Sequence, residues 1–379
     1  MKRIFTLALL MSTALVSLAQ YVPNEEARKK FDQGMATGDI NQQIAFFGEA
    51  IKLDNKYAEA YYARGYAYYD KSFFNLALED YNKAISLNAG DAKYYFERAL
   101  TKVKLDQVAE SIKDFSKAIE LNPRKAGYYY ERAYNYYELE KFEEAVKDLN
   151  HAIELAPTEA KYYVERGMAK RKLEQYTAAK EDFDKGIQYN PNKASYYYQR
   201  GFSNYDLGNY EDAIADYDKA IAKDTPVAKY FYERGLAKAA LDRLEDAVSD
   251  FTRAIKLSPA KATYYYERGY TYYDLKEYDK ALGDYTKAID LSPEDALTYY
   301  ERAITYVKLD KYNEAIKDMD KAISISPNSG KFYNERGIEK FYLSDFKGAK
   351  EDFEKAYKLI PGDKDIKDNL DAVKKKLGQ

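Results

Sequence analysis

The sequence contains no cysteine and no tryptophan, and a single histidine, His151. Without cysteine there is no disulfide, no thiolate metal site, no cysteine nucleophile and no lipid-modified N-terminal cysteine. One histidine rules out a histidine-rich metal cage and leaves few routes to a catalytic triad. Neither sign of charge dominates. Lys and Arg number 60 against 63 Asp and Glu, a net charge of −3, so the chain lacks the basic footprint that a nucleic-acid backbone requires. What the chain has in abundance is tyrosine, 43 of 379 residues.

Long apolar runs are missing too, apart from residues 4–18, which follow Lys2 and Arg3. The run ends in Ser17-Leu18-Ala19, small residues where a signal peptidase reads. The expectation is a signal peptide over residues 1–19, cleaved before Gln20. At 15 residues the run falls short of the roughly 20 that span a bilayer. The chain is therefore expected to be exported, periplasmic or secreted, with no stable membrane insertion after cleavage.

Internal repetition dominates the rest. Arg64, Arg98, Arg132, Arg166, Arg200, Arg234, Arg268, Arg302 and Arg336 stand 34 residues apart. So do Asp80, Asp114, Asp148, Asp182, Asp216, Asp250, Asp284, Asp318 and Asp352. Around each arginine sits one phrase, such as AYYARGYAYY or GYYYERAYNYY, followed by a second such as AVKDLNHAIELAP. The units are 24–57, 58–91, 92–125, 126–159, 160–193, 194–227, 228–261, 262–295, 296–329 and 330–363, without a linker.

Each unit reads as two amphipathic helices. In 126–159, Tyr129, Arg132, Ala133 and Tyr136 share one face, and Ala145, Leu149, Ala152 and Ile153 share another. Proline closes most second helices, as at Pro123, Pro157 and Pro191, because it cannot continue the hydrogen-bond ladder. Small residues (Gly65 or Ala99 in the first helix, Ala77 or Ala145 in the second) allow the helices to approach closely. Ile366, Leu370, Val373 and Leu377 form one stripe, which predicts a C-terminal capping helix over 364–379.

The period, the paired-helix phrasing, the aromatic at unit position 4, the small residues at 8, 20 and 27 and the proline at 32 resemble the tetratricopeptide repeat. That resemblance implies an all-α, right-handed superhelical solenoid of helix–turn–helix repeats. The chain departs from the family at position 7, where arginine replaces the usual leucine. It departs again in the first unit, where Lys30 and Phe46 replace the arginine and aspartate and an atypical cap is expected.

An arginine buried alone is costly. Nine aspartates at matching stoichiometry, both lost together in the first unit, suggest a structural ion-pair ladder, with Arg132 on Asp148 or Asp114. The alternative is an anion-binding track of arginines. The resemblance also places positions 2, 5, 9, 12 and 13 of the first helix toward a concave groove. Alternate units carry aromatic triplets there: Tyr62, Tyr66, Tyr69; Tyr130, Tyr134, Tyr137; Tyr198, Phe202, Tyr205; Tyr266, Tyr270, Tyr273. Position 13 is acidic in these units (Asp70, Glu138, Asp206, Asp274) and mostly basic in the others. The period of this pattern is 68 residues, either inherited packing or a run of binding rungs.

The function expected is a non-catalytic exported scaffold that binds a protein or peptide, an extended segment or a helix, in a tyrosine-lined groove. Carbohydrate or cell-wall glycan binding by the same rings is the alternative. No catalytic phrase is present, and no cofactor, metal or nucleic acid is expected. Tyr130, Tyr198 and Tyr266 are expected to face the groove, so that their loss abolishes binding without lowering the melting temperature.

Overall fold

The computed structural model describes residues 21–379, and the expected signal peptide lies outside them. Among the described residues there are 21 helices and no strand, and none of the helices is long and apolar enough to cross a membrane. The chain divides after Leu155 into two compact units. Each is an all-α stack of helix pairs, here called the A and B helices of a repeat. The first unit runs from the helix Glu25–Ala36 to Phe142–Leu155, and the second from Ala160–Lys172 to Lys364–Lys376.

The A–B turn is set by backbone chemistry that the tyrosines conceal. After the A helix Ala58–Asp70, Ser72 takes a left-handed conformation, φ +62°. Its N–H donates to the Tyr69 carbonyl and that of Phe73 to the Tyr68 carbonyl, both at 2.8 Å. This pair of bonds stops the helix and satisfies its orphan carbonyls. The same left-handed seat recurs at Asp106, Glu140, Glu174, Gly208, Asp242, Lys276, Asp310 and Ser344. Only one occupant is glycine.

Within a repeat the core forms where a B-helix side chain lies on a small A-helix residue. A Cβ added to Gly65 would come within 2.9 Å of the Tyr81 ring, and one at Gly201 within 2.7 Å of Tyr217. Both rings are fully buried. Where alanine replaces that glycine, at Ala303, the core neighbour is the flexible Met319. Ala77 and Ala84 on the same B helix as Tyr81 are likewise wholly enclosed. The first repeat differs: its A helix ends at Ala36 with an extended Thr37, and Gly34 takes the Phe47 ring. At the other end, Leu370 and Val373 of the helix Lys364–Lys376 close over Phe353.

Candidate functional site

Two faces of the repeat carry chemistry. On the first, between the A and B helices, each ladder arginine donates through Nε and one terminal nitrogen to both oxygens of the aspartate sixteen residues on, at 2.5–2.9 Å. Arg132 thus holds Asp148. All nine aspartates are buried. The arginine side chains are 15–23 % exposed, and none lies open to solvent as an anion track requires. Hydrogen bonds donated to Asp216 raise the Arg200 guanidinium above its ordinary value. Bidentate, charge-assisted geometry of this kind fixes orientation as well as distance.

The sequence pattern hid a third member of the ladder. The remaining terminal nitrogen of the arginine reaches back to the preceding repeat: Arg98 to Asn82, Arg132 to Ser116, Arg200 to Asp184, Arg234 to Asp218, Arg268 to Thr252, Arg302 to Thr286 and Arg336 to Asp320. The acceptor varies among Asn, Ser, Asp and Thr, so no single-residue periodicity marks it. In three alternate repeats a lysine adds to the same aspartate, Lys102 on Asp114 at 2.7 Å and Lys170 on Asp182 and Lys238 on Asp250 at 2.8 Å. Outside that alternation Lys340 does so on Asp352 in the last repeat. Between Lys102 and Lys238 the 68-residue period therefore runs through the interior as well.

On the second face, the A helices, the aromatic triplets separate into three roles. Tyr66, Tyr134 and Tyr270 are 43–46 % exposed. Tyr69, Tyr137, Tyr205 and Tyr273 instead pack edge-on against Phe74, Phe142, Tyr210 and Tyr278, the first residues of their own B helices, at 5.2–5.6 Å. The rings at position 5 turn inward. Tyr62 lies 5.1 Å from Tyr94 of the next repeat and 6.0 Å from Tyr81. Tyr198 lies 4.9 Å from Tyr230 and is buried in a core cluster. Tyr266 sits 6.0 Å from Tyr285, and Tyr130 is half-buried. For Tyr198 this corrects the expectation of a ring that faces an open groove and leaves no cavity when removed. The Tyr198 ring leans across the junction and becomes core. Phe202 is covered as well, by the Arg171 guanidinium 4.2 Å above it.

Sequence reasoning missed a row of glutamates directly before the ladder arginines: Glu97, Glu131, Glu165, Glu233, Glu267, Glu301 and Glu335. Burial pushes the Glu97, Glu165 and Glu233 carboxyls up to about 7, and it raises Glu267, Glu301 and Glu335. The recurring Glu-Arg pair was the available signal, but a mid-helix glutamate ordinarily reads as solvated surface. Glu339 goes further. It is 2 % exposed, both carboxyl oxygens lack a hydrogen-bond partner, and burial lifts it to about 8. No cluster of acidic or histidine side chains among the described residues is arranged to hold a metal ion.

Models of the TPR repeat match residues 35–72, 235–276 and 269–310, and models of the tetratricopeptide repeat match 58–91, 92–125, 126–159, 164–228 and 296–329. No curated protein matches the sequence. Among solved structures, a tetratricopeptide repeat protein from Parabacteroides merdae is 20 % identical, with 65 % of this chain and 98 % of that one covered at a TM-score of 0.50. YrrB, described as a TPR protein with an unusual peptide-binding site, is 22 % identical over 47 % of this chain and 92 % of its own, TM-score 0.42. MamA is 28 % identical over 42 % and 94 %, TM-score 0.41.

Proposed function

The chain belongs to the tetratricopeptide repeat family, and from that premise we propose that it is an exported, non-catalytic scaffold that holds a segment of another protein on the A-helix face. A protein–protein interaction scaffold is the function that the family and fold support. The finer reading rests on one observation: Tyr66, Tyr134 and Tyr270 stay exposed, while the other rings of their triplets are packed. A tyrosine ring offers apolar area and a hydrogen-bonding tip at low rotamer cost, which suits adaptable contact with a peptide. Export rests on Lys2, Arg3 and the apolar run behind them.

The test uses the exported protein as bait against the exported fraction, beside a Tyr66→Ala/Tyr134→Ala/Tyr270→Ala variant. The expected result is a specific protein captured by the first and lost by the second, with little change in melting temperature. Equal capture by both, or a specific signal on a glycan array alone, rejects the reading. Mass spectrometry of the N-terminus is expected to find it at Gln20.

A further inference from the structure

One repeat shows what its equivalents lack. The Arg171 side chain crosses to the next repeat, where its Nε donates to Asp206 at 2.7 Å and its guanidinium lies 4.2 Å over the Phe202 ring. Glu233, one repeat further on, also feels that positive charge. An aromatic ring, an aspartate on the same helix and a glutamate from the following repeat thus form a box, and an arginine fills it.

The same box occurs twice more without a filler. In the first compact unit it is Tyr66, Asp70 and Glu97, and in the second it is Tyr270, Asp274 and Glu301. The residues equivalent to Arg171 are Met35 and Ala239, which carry no charge. The members are neighbours: Asp70 and Glu97 both act on Tyr66, and Asp274 and Glu301 both act on Tyr270. Neither box holds a cation. Among the described residues no ion pair reaches Asp70, Glu97, Asp274 or Glu301. The nearest cations are held elsewhere, Lys308 bonded to Tyr273 and Lys331 over the Tyr300 ring, from which its charge also reaches Glu301. A hollow of about 340 Å³, bordered by Met35, Tyr66 and Asp70, occupies the place of the missing side chain.

An independent feature lies beneath both. Tyr81 and Tyr285 are fully buried, their hydroxyls have no hydrogen-bond partner, and each sits within electrostatic reach of its box's ring and both its carboxyls. Tyr217 lies in the same place beneath the filled box. Arg171, tethered from the neighbouring helix, leaves that hydroxyl unpartnered. The corresponding residue in intervening repeats is phenylalanine or methionine (Phe115, Phe183, Phe251, Met319).

We propose that the Tyr66–Asp70–Glu97 and Tyr270–Asp274–Glu301 boxes each receive an arginine side chain of the bound protein segment. This rests on the A-helix face being the binding surface, and it fixes the partner's chemistry there as cationic. The ring supplies a cation–π contact and the carboxylates a charge-assisted one, so both orientation and sign are selected. Uncharged or acidic segments would leave the partly desolvated Glu97 and Glu301 carboxyls facing them without added counter-charge.

The probes are twelve-residue peptides of Gly, Ser and Leu carrying one arginine, and the same peptides with neutral, near-isosteric citrulline, titrated calorimetrically into the whole protein. Arginine peptides are expected to bind at least about 10-fold tighter, more weakly as salt rises. Asp70→Asn/Glu97→Gln with Asp274→Asn/Glu301→Gln is expected to erase the difference. Met35→Arg with Ala239→Arg, which supplies the internal filler and removes no contact, is expected to do the same. Arg171→Ala is expected to add one binding site. Equal affinity for arginine and citrulline, no binding by any peptide, or indifference to the two filler substitutions overturns the proposal. If capture of the exported partner still depends on Tyr66, Tyr134 and Tyr270 after such a result, the binding face stands and only its charge preference falls.

Discussion

Glu97 and Arg98 are adjacent in the chain and belong to opposite regions. Arg98 turns between the helices and, with Lys102, gives the buried Asp114 three cationic contacts at 2.6–2.8 Å. Glu97 turns to the A-helix face, where its charged neighbours are Asp70 and Glu131, both of its own sign. Withdrawal from water is common to both carboxyls, and what separates them is the supply of counter-charge. Desolvation alone destabilises an anion, and a bidentate guanidinium more than offsets it only when the geometry is good. The protein concentrates its arginines on one row, and in the other burial raises Glu97 and Glu165 with no cation acting on either. The first row builds the stack, and the second is poised for something from outside.

The sharpest way to break the comparison is to remove a cation from the paired row. Arg200→Leu strands Asp216, which is then left with Asn204 alone, and is expected to cost about 3–5 kcal/mol in urea unfolding. Arg200→Leu/Asp216→Leu is expected to recover most of that. Next in size, Tyr198→Ala opens a cavity in a core cluster and is expected to cost about 3 kcal/mol, whereas Tyr270→Ala on the exposed face costs less than about 1 kcal/mol. Equal losses would erase the division between inward and outward rings.

Glu339 tests the unpaired condition at its extreme. Its folded pKa of about 8 lies above the ordinary 4.5, so the folded state binds the extra proton between those values. Its contribution is therefore fully favourable below about pH 4.5 and is lost as pH rises through 8, at a limiting slope of about 1.4 kcal/mol per pH unit. Glu339→Thr, matching Thr305, is expected to flatten that slope and to stabilise the last repeat by about 1–3 kcal/mol at pH 9. The check is pH-resolved unfolding. The smallest effect lies at the turns. Ser72→Gly and Asp106→Gly, at φ +62° and +61°, are each expected to add about 0.5–1 kcal/mol while leaving both rows unchanged.

Much of the architecture is legible in the sequence because it is strictly periodic. Helix pairs, their proline stops and the arginine–aspartate stoichiometry all repeat every 34 residues. What escapes is written in position-dependent roles rather than fixed residue types. The acceptor that each arginine finds in the preceding repeat is Asn, Ser, Asp or Thr, which share only an oxygen. The inward turn of Tyr62 and Tyr198 depends on ring reach across a junction, which helical periodicity on one element does not contain. The unfilled boxes draw on two successive repeats, and an occupant is supplied by the repeat before only at Arg171. Sequence patterns describe one helix at a time, and these features belong to two or three.

The backward reach of the ladder arginines gives the array a direction of growth. Arg98 needs Asn82, sixteen residues earlier, and Arg336 needs Asp320 in the same sense. During synthesis from the amino end, every acceptor has left the ribosome before the arginine that will claim it. Each new helix pair therefore meets a finished docking edge. A fragment cut at its carboxyl side keeps every one of these claims met, whereas one cut at its amino side begins with an arginine whose claim on a preceding repeat has nothing to answer it. Trimming from the two ends is thus an unequal operation, and the stack is best shortened from the end that was made last.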